Sequence, residues 1–221
     1  MLSLIIPYYN DSGCPKPFVT ELQRELKGID YEIILVDDCS KKDSTPEELD
    51  ALKSKKVKVI HNKVNKDYGG AIMTGFEIAK GDILGWTCGD GEVTAKDVIK
   101  VYKEMRKEDD ILKAIRLNRQ DGISRKFISK VFNIWSKLRW GLNVADLNGY
   151  PVFFKRECYQ DLGVHNVKTN WIFNTDLFRK MTAKGFKIRE VEVIHEKRTS
   201  GKSHMKPLRI MKMVWRFIKY K

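Results

Sequence analysis

Short apolar runs alternate with helix-patterned segments through the first hundred residues, and this alternation restricts the fold more than any other feature of the chain. Leu2–Ile6, Tyr31–Val36, Val57–Ile60 and Ile83–Trp86 read as strands. Between them lie three predicted helices: Phe18–Leu26, with apolar residues at Phe18, Leu22 and Leu26; Thr45–Leu52; and Ala71–Ala79, entered through Gly69 and Gly70. Strands separated by helices of this length make βαβ units and a mostly parallel sheet. Ligands of such sheets bind beyond the carboxyl ends of the strands. Three of the predicted strands run into polar clusters there: Pro7-Tyr8-Tyr9-Asn10, Asp37-Asp38-Cys39-Ser40 and Cys88-Gly89-Asp90-Gly91-Glu92.

The second half is patterned differently. Ile111–Ile115, Val152–Phe154 and Phe186–Ile194 are strand-like, and Trp171–Lys184 is helical. Ser124–Trp140 is an amphipathic helix, with Phe127, Ile128, Val131, Trp135 and Leu138 on one side and Arg125, Lys126, Ser129, Lys130, Asn133 and Lys137 on the other. A polar loop follows over Glu196–His204. The predicted helix Lys206–Tyr220 then places Lys206, Arg209, Lys212, Arg216 and Lys219 on one side and Leu208, Met211, Val214, Trp215 and Ile218 on another.

Charge divides along the same line. Of the net +13, residues 1–104 carry −3 and residues 105–221 carry +16. A one-sided basic half predicts a polyanionic partner: nucleic acid, an acidic membrane surface or a phosphorylated substrate. No run approaches the roughly 18 apolar residues of a membrane span, and Leu2–Ile6 lacks the flanks of a signal peptide. The four cysteines form no CxxC pair, which suits reduced thiols in the cytoplasm.

The polar clusters suggest their own chemistry. Asp37 and Asp38, adjacent at a strand end, suit hydrogen bonds to a base or ribose, or to loop amides. Asp90 and Glu92 are hard oxygen ligands suited to Mg²⁺ or Mn²⁺ bound together with a diphosphate, and Gly89 and Gly91 let the backbone approach a ligand closely.

Taken in order, these segments resemble the family 2 glycosyltransferases of the GT-A fold. The resemblance runs through Leu-Ile-Ile-Pro-Tyr-Tyr-Asn (4–10), Ile-Leu-Val-Asp-Asp-Cys-Ser (34–40), Asn65 to Gly75, Lys80-Gly81-Asp82 and the acidic turn. Farther on, Arg116, the Arg125/Ser129/Asn133 spacing, Asp146 to Tyr150, Asn174-Thr175-Asp176 and His195 to Ser203 resemble the polyprenyl-phosphate hexosyltransferases, the branch of dolichyl-phosphate-mannose synthase. The fold implied is α/β: one Rossmann-like GT-A domain with a mostly parallel central sheet. Residues 1–104 form its nucleotide-sugar half, 105–204 its acceptor half, and 205–221 a basic amphipathic interfacial helix.

The resemblance also implies roles. Pro7, Tyr9, Asn10, Asp37, Asp38 and Gly70 belong to the nucleotide-sugar site, with Asp90 serving donor, metal and catalysis and Glu92 joining it at the metal. The family's acidic motif reads Asp-x-Asp-x-Gln; here those places hold Cys88, Asp90 and Glu92, so that Glu92 compensates for Cys88 in charge. A donor-binding protein without turnover is the alternative that Cys88 raises. Arg116, Arg125 and Ser129 would cradle the acceptor phosphate, a job suited to arginine's planar fork. Arg198 and Ser203 would act from a mobile acceptor loop. The expected reaction is inverting transfer of a hexose from a GDP-mannose- or UDP-glucose-type donor to a polyprenyl or dolichyl phosphate. A phosphate acceptor is already ionised, whereas a sugar or protein hydroxyl would need a general base, for which Asp176 is the candidate. The basic tail predicts peripheral attachment to an anionic membrane surface at its cytoplasmic face, with room for a membrane-protein partner. No nucleic-acid motif is present.

Overall fold

A computed structural model describes residues 1–117, 123–163, 167–170 and 172–194, with the side chains of 123–128 outside that description. The predicted loop 196–204 and basic helix 206–220 lie outside the described residues. Seven strands form one sheet in the order β3-β2-β1-β4-β6-β5-β7. They are β1 (Leu2–Tyr8), β2 (Tyr31–Asp37), β3 (Val57–His61), β4 (Ile83–Trp86), β5 (Ile111–Leu117), β6 (Val152–Lys155) and β7 (Ile188–Ile194). The sheet is mostly parallel, as the alternation predicts. The exception is β6, which runs antiparallel to both neighbours, β4 and β5.

Helices cover both faces, so strand residues are buried in either direction and strands such as β2 are buried along their whole length. On one face Leu2, Leu4, Ile6, Ile33 and Leu35 pack with Phe18 and Leu22 of α1 (Pro15–Glu25) and Val98 and Val101 of α4 (Ala95–Lys103). On the other, Ile5, Ile34 and Val36 pack with Ile72 and Phe76 of α3 (Asp67–Ile78) and Leu177 and Phe178 of α7 (Phe173–Ala183). Trp86 is fully buried in this second layer. Its ring makes edge contacts with Phe76, Phe154 and Phe173 at centroid distances of 6.1, 6.0 and 5.7 Å. The remaining helices are α2 (Thr45–Asp50), α5 (Ile123–Trp140) and α6 (Arg156–Asp161).

Two helices exceed the sequence reading. The first, α4, is capped by Thr94, whose hydroxyl accepts the Asp97 amide at 3.1 Å and donates to the Asp97 carboxylate at 2.9 Å. The Thr-x-x-Asp spacing is a legible capping signal ahead of the apolar residues of α4. The second, α6, is only six residues long and follows β6 directly, leaving too little periodicity to read. The observed α1 begins three residues before the predicted Phe18, with Pro15 suited to a first helical turn.

Register places Gly85 of β4 opposite Phe153 of β6. A Cβ at Gly85 would stand 2.7 Å from Phe153 Cε1 and 2.9 Å from the Val152 carbonyl oxygen. Gly85→Ala is therefore expected to cost about 1–3 kcal/mol through overpacking. The urea midpoint of unfolding reads this out, and an unchanged midpoint would contradict the close approach.

Candidate active site

Backbone strain gathers at the carboxyl edge of the sheet. Asn10, Cys39 and Asp67 have φ of 51°, 66° and 64°, a left-handed conformation uncommon for residues other than glycine. Asn10 closes β1 onto the loop after β2: its amide donates to Ser40 Oγ at 2.9 Å, and its Oδ1 accepts the Lys41 and Lys42 amides at 3.1 and 3.0 Å. Asp37 faces under this loop, with Oδ1 accepting the Ser40 amide at 2.9 Å and Oδ2 lying 3.0 Å from His61 Nδ1. Asp38 accepts the Asn62 side chain and the Lys66 amide, each at 2.9 Å. Burial pushes the Asp38 carboxyl up despite those hydrogen bonds, and neighbouring Asp67 and Asp37 add to the shift.

A cavity of about 480 Å³ opens along this edge. Of the predicted donor residues, Pro7, Tyr9, Asp38 and Asp90 line it, together with Tyr8, Asp11, Lys42, Asn65, Asp67, Tyr68 and Cys88. Its charged lining is four aspartates against one lysine. The Tyr8 hydroxyl is buried without a hydrogen-bond partner among the described residues. Gly89 presses on that ring: a Cβ there would come within 2.6 Å of Tyr8 Cζ. Tyr68 accepts a hydrogen bond from Trp86 Nε1 at 2.9 Å and so ties the aromatic core to the cavity wall. Cys88 Sγ lies 4.0 Å from the Tyr68 hydroxyl. Burial, and then the Asp90 charge, push the Cys88 thiol well up, so this position contributes a neutral group.

Asp90 and Glu92 converge on Tyr150, which precedes β6. The Tyr150 hydroxyl donates to Glu92 Oε2 at 2.8 Å and lies 3.5 Å from Asp90 Oδ1. Burial raises the Tyr150 hydroxyl well above its ordinary value, which keeps it a donor. The Arg116 guanidinium sits over the Tyr150 ring at 5.1 Å and is clamped by Asp146, with Nε and Nη2 donating to the two carboxylate oxygens at 2.8 and 3.1 Å. Burial alone would disfavour its charge, but the Asp146 carboxylate more than offsets that and raises the pKa. Behind the clamp, Lys113 is fully buried, and burial lowers its pKa against the opposing pull of Glu190 and Asp146. Two carboxylates with a diphosphate completing the shell suit Mg²⁺ or Mn²⁺. Among the described residues no group of three or more His, Cys, Asp or Glu is placed to hold a metal ion by itself.

The other predicted residues are dispersed. Gly70 lies inside α3, where its amide donates to the Thr169 carbonyl at 3.1 Å and a Cβ would stand 2.5 Å from Lys66 Cβ. Ser129 is half-buried on α5. Asn133, also on α5, accepts the Leu147 amide at 3.3 Å, and its Nδ2 donates to the Ala145 carbonyl. Arg125 falls on α5 with its side chain outside the description, and Arg198 and Ser203 lie outside the described residues. Asp176 is fully buried in α7, accepting the Lys168 amide and the Lys180 ammonium at 2.8 Å each and lying 3.3 Å from Arg179. The sequence reading names Tyr150 only as part of a motif and gives Tyr68, Lys113 and Glu190 no role. A lysine inside the apolar run 111–115 was the available signal for the last pair.

His61 reports on this edge. Burial alone lowers its pKa, but hydrogen bonds to Asp50 and Asp37 raise it above the ordinary 6.5. A raised folded pKa contributes stability that is complete below about 6.5 and is lost as pH climbs through the folded value. The Tm gap between the wild type and His61→Gln is expected to narrow from pH 6 to pH 8; a gap that widens would reverse the assignment.

Residues 3–182 match the family model described as "Glycosyl transferase family 2". The chain is similar to the undecaprenyl-phosphate 4-deoxy-4-formamido-L-arabinose transferase of Pseudomonas fluorescens, 27% identical over 98% of this chain and 64% of the relative. The enzyme of that name from Aeromonas hydrophila is 26% identical over 92% of this chain and 62% of the relative. The chain thus spans a little under two thirds of those curated relatives. In fold it is similar to glucosyl-3-phosphoglycerate synthase from Mycobacterium tuberculosis, solved with Mn²⁺, UDP and phosphoglyceric acid. That match has a TM-score of 0.74 at 14% identity and covers 98% of this chain and 75% of that one. It is also similar to a mannosyltransferase from Pyrobaculum calidifontis, solved with GDP-Man and Mn²⁺, with a TM-score of 0.63 at 16% identity over 90% of this chain and 57% of that one. With the family model matching most of its length, the chain belongs to glycosyl transferase family 2.

Proposed function

We propose that the chain transfers a sugar from a nucleotide-sugar donor to a polyprenyl phosphate, and that Asp90 and Glu92 are the residues that would hold the Mg²⁺ or Mn²⁺ serving the donor diphosphate. The observation that carries the reading is the juxtaposition of an acidic cavity at the carboxyl edge with a clamped, buried arginine just beyond it. Four aspartates against one lysine make the cavity a poor host for a bare diphosphate. The metal, when bound, would supply the missing positive charge and stabilise the leaving diphosphate.

The chain's own residues then divide the work. Asp38, Pro7 and Tyr9 line the part of the cavity that would hold base and ribose. Tyr150 orients the two acids. Arg116 remains cationic beside Asp146, and with Arg125 and Ser129 it would position the acceptor phosphate, while Arg198 and Ser203, outside the described residues, would act on the same phosphates. An ionised phosphate needs no base, so positioning and charge neutralisation suffice. The acceptor named in the P. fluorescens and A. hydrophila relatives, undecaprenyl phosphate, supports this choice.

No helix among the described residues is long and apolar enough to cross a membrane. Attachment to an anionic bilayer is assigned to the basic tail 206–221. Removing that tail is expected to reduce pelleting with anionic liposomes, and equal pelleting would reject the anchor.

The acceptor reading is tested by a screen of nucleotide sugars with a short polyprenyl phosphate and Mn²⁺, scored for lipid-linked product. Absence of product with every donor would reject it. Asp90→Ala is expected to abolish metal-dependent donor binding by calorimetry. A hydroxyl acceptor with Asp176 as base is disfavoured by that carboxylate's complete burial among its own amide and ammonium partners. Asp176→Asn is expected to keep transfer to polyprenyl phosphate within about threefold of wild type. Loss of a general base costs roughly 10²–10⁴-fold, so wild-type transfer to a sugar hydroxyl that falls by that much in a folded Asp176→Asn variant would favour the hydroxyl reading.

A further inference from the structure

We propose that Lys113 and Glu190 are positioning residues that set the Asp146–Tyr150 turn, and through it both the arginine for the acceptor phosphate and the two metal-binding acids. The inference rests on the transfer reaction proposed above but adds residues that the reading did not include.

Parallel pairing places Lys113 of β5 directly beside Glu190 of β7. Lys113 Nζ donates to Glu190 Oε1 at 3.1 Å, to the Ala114 carbonyl at 3.1 Å and to the Asp146 carbonyl, so its three donors all have acceptors. Glu190 takes the other side of the turn. Its Oε2 accepts the Ala145 amide at 2.7 Å and its Oε1 the Asp146 amide at 3.3 Å. The pair therefore grips Asp146 by both its N–H and its C=O. An ion pair with one partner fully buried and the other half-buried gains little stability over apolar residues, but it fixes direction: each charge has one set of main-chain partners it can satisfy.

What the turn carries follows from that grip. Asp146 holds Arg116 in its two-pronged clamp, Arg116 covers the Tyr150 ring, and the Tyr150 hydroxyl joins Glu92 and Asp90. Gly149 allows the turn to lie this close: a Cβ there would overlap the Ala114 carbonyl and come within 3.0 Å of Lys113 Nζ. Shifting the Asp146 main chain would move the arginine and the tyrosine together.

The test compares wild type, Glu190→Gln and a control, Leu22→Ala, which lowers stability from the far side of the sheet. Glu190→Gln keeps the shape but cannot accept from Lys113 and both amides at once. Its amides at Ala145 and Asp146 are expected to exchange with solvent faster relative to those of β1, and its KM for a short polyprenyl phosphate to rise roughly tenfold, as misplacement of a binding group predicts. Its KM for the donor is expected to change less. The control is expected to lower Tm without this split. Equal exchange at the turn, or an acceptor KM that follows Tm alike in both variants, would overturn the proposal. If the wild type makes no lipid-linked product, the reaction reading fails by itself, and the exchange measurement still decides whether Lys113 and Glu190 hold the turn.

Discussion

The antiparallel pairing of β6 with β4 is the constraint on which the candidate site depends. Every other strand runs in one direction, so their carboxyl ends share an edge and their loops gather there. Because β6 runs the opposite way, it brings its leading residues, rather than its trailing ones, to the same edge. That reversal lets Tyr150, just before β6, meet Asp90 and Glu92, just after β4. The exchange of side chain for space at Gly85 and Phe153 lets these two strands pair across their full length. It is a packing condition in the middle of the sheet with its chemical consequence at the end.

Charge at that edge is arranged in two layers. The cavity is acidic, and burial pushes the Tyr8 and Tyr68 hydroxyls and the Cys88 thiol well up, with nearby acids adding to the shift at Tyr8 and Cys88. Just behind Tyr150 lie Arg116, Asp146, Lys113 and Glu190, two cations and two carboxylates paired with one another and with main chain. Such a network is costly to bury and stays in place only while each member is satisfied. It places a fixed guanidinium, that of Arg116, beside a negative cavity.

The loops around the cavity are cross-tied by hydrogen bonds. Asn10, Cys39 and Asp67 occupy left-handed backbone, and backbone amides donating to Asn10 Oδ1 and to the Asp38 carboxylate tie three successive loops together. Of the strands beneath, β2 is buried along its whole length and anchors the loop that carries Asp37 and Asp38. Tyr68 links the Trp86 cluster to the cavity wall.

Much of this was legible in the residues. The strand–helix alternation, the polar clusters after β1, β2 and β4, and the acidic and basic halves all follow from patterns within a few residues of one another. Of the residues expected at the donor, Pro7, Tyr9, Asp38 and Asp90 line one cavity, because a parallel sheet gathers its loops at one edge, whereas Asn10, Asp37 and Gly70 do not line it. The direction of β6, the placement of Tyr150 between Asp90 and Glu92, the depth of Asp176 and the partner of Lys113 were not legible. Periodicity states which face of a strand is buried, but it carries no sign for the strand's direction and no address for its neighbour. Local sequence determined the elements and their polar ends; only long-range packing decided which ends meet, because pairing joins residues as far apart as Lys113 and Glu190 that no local pattern connects.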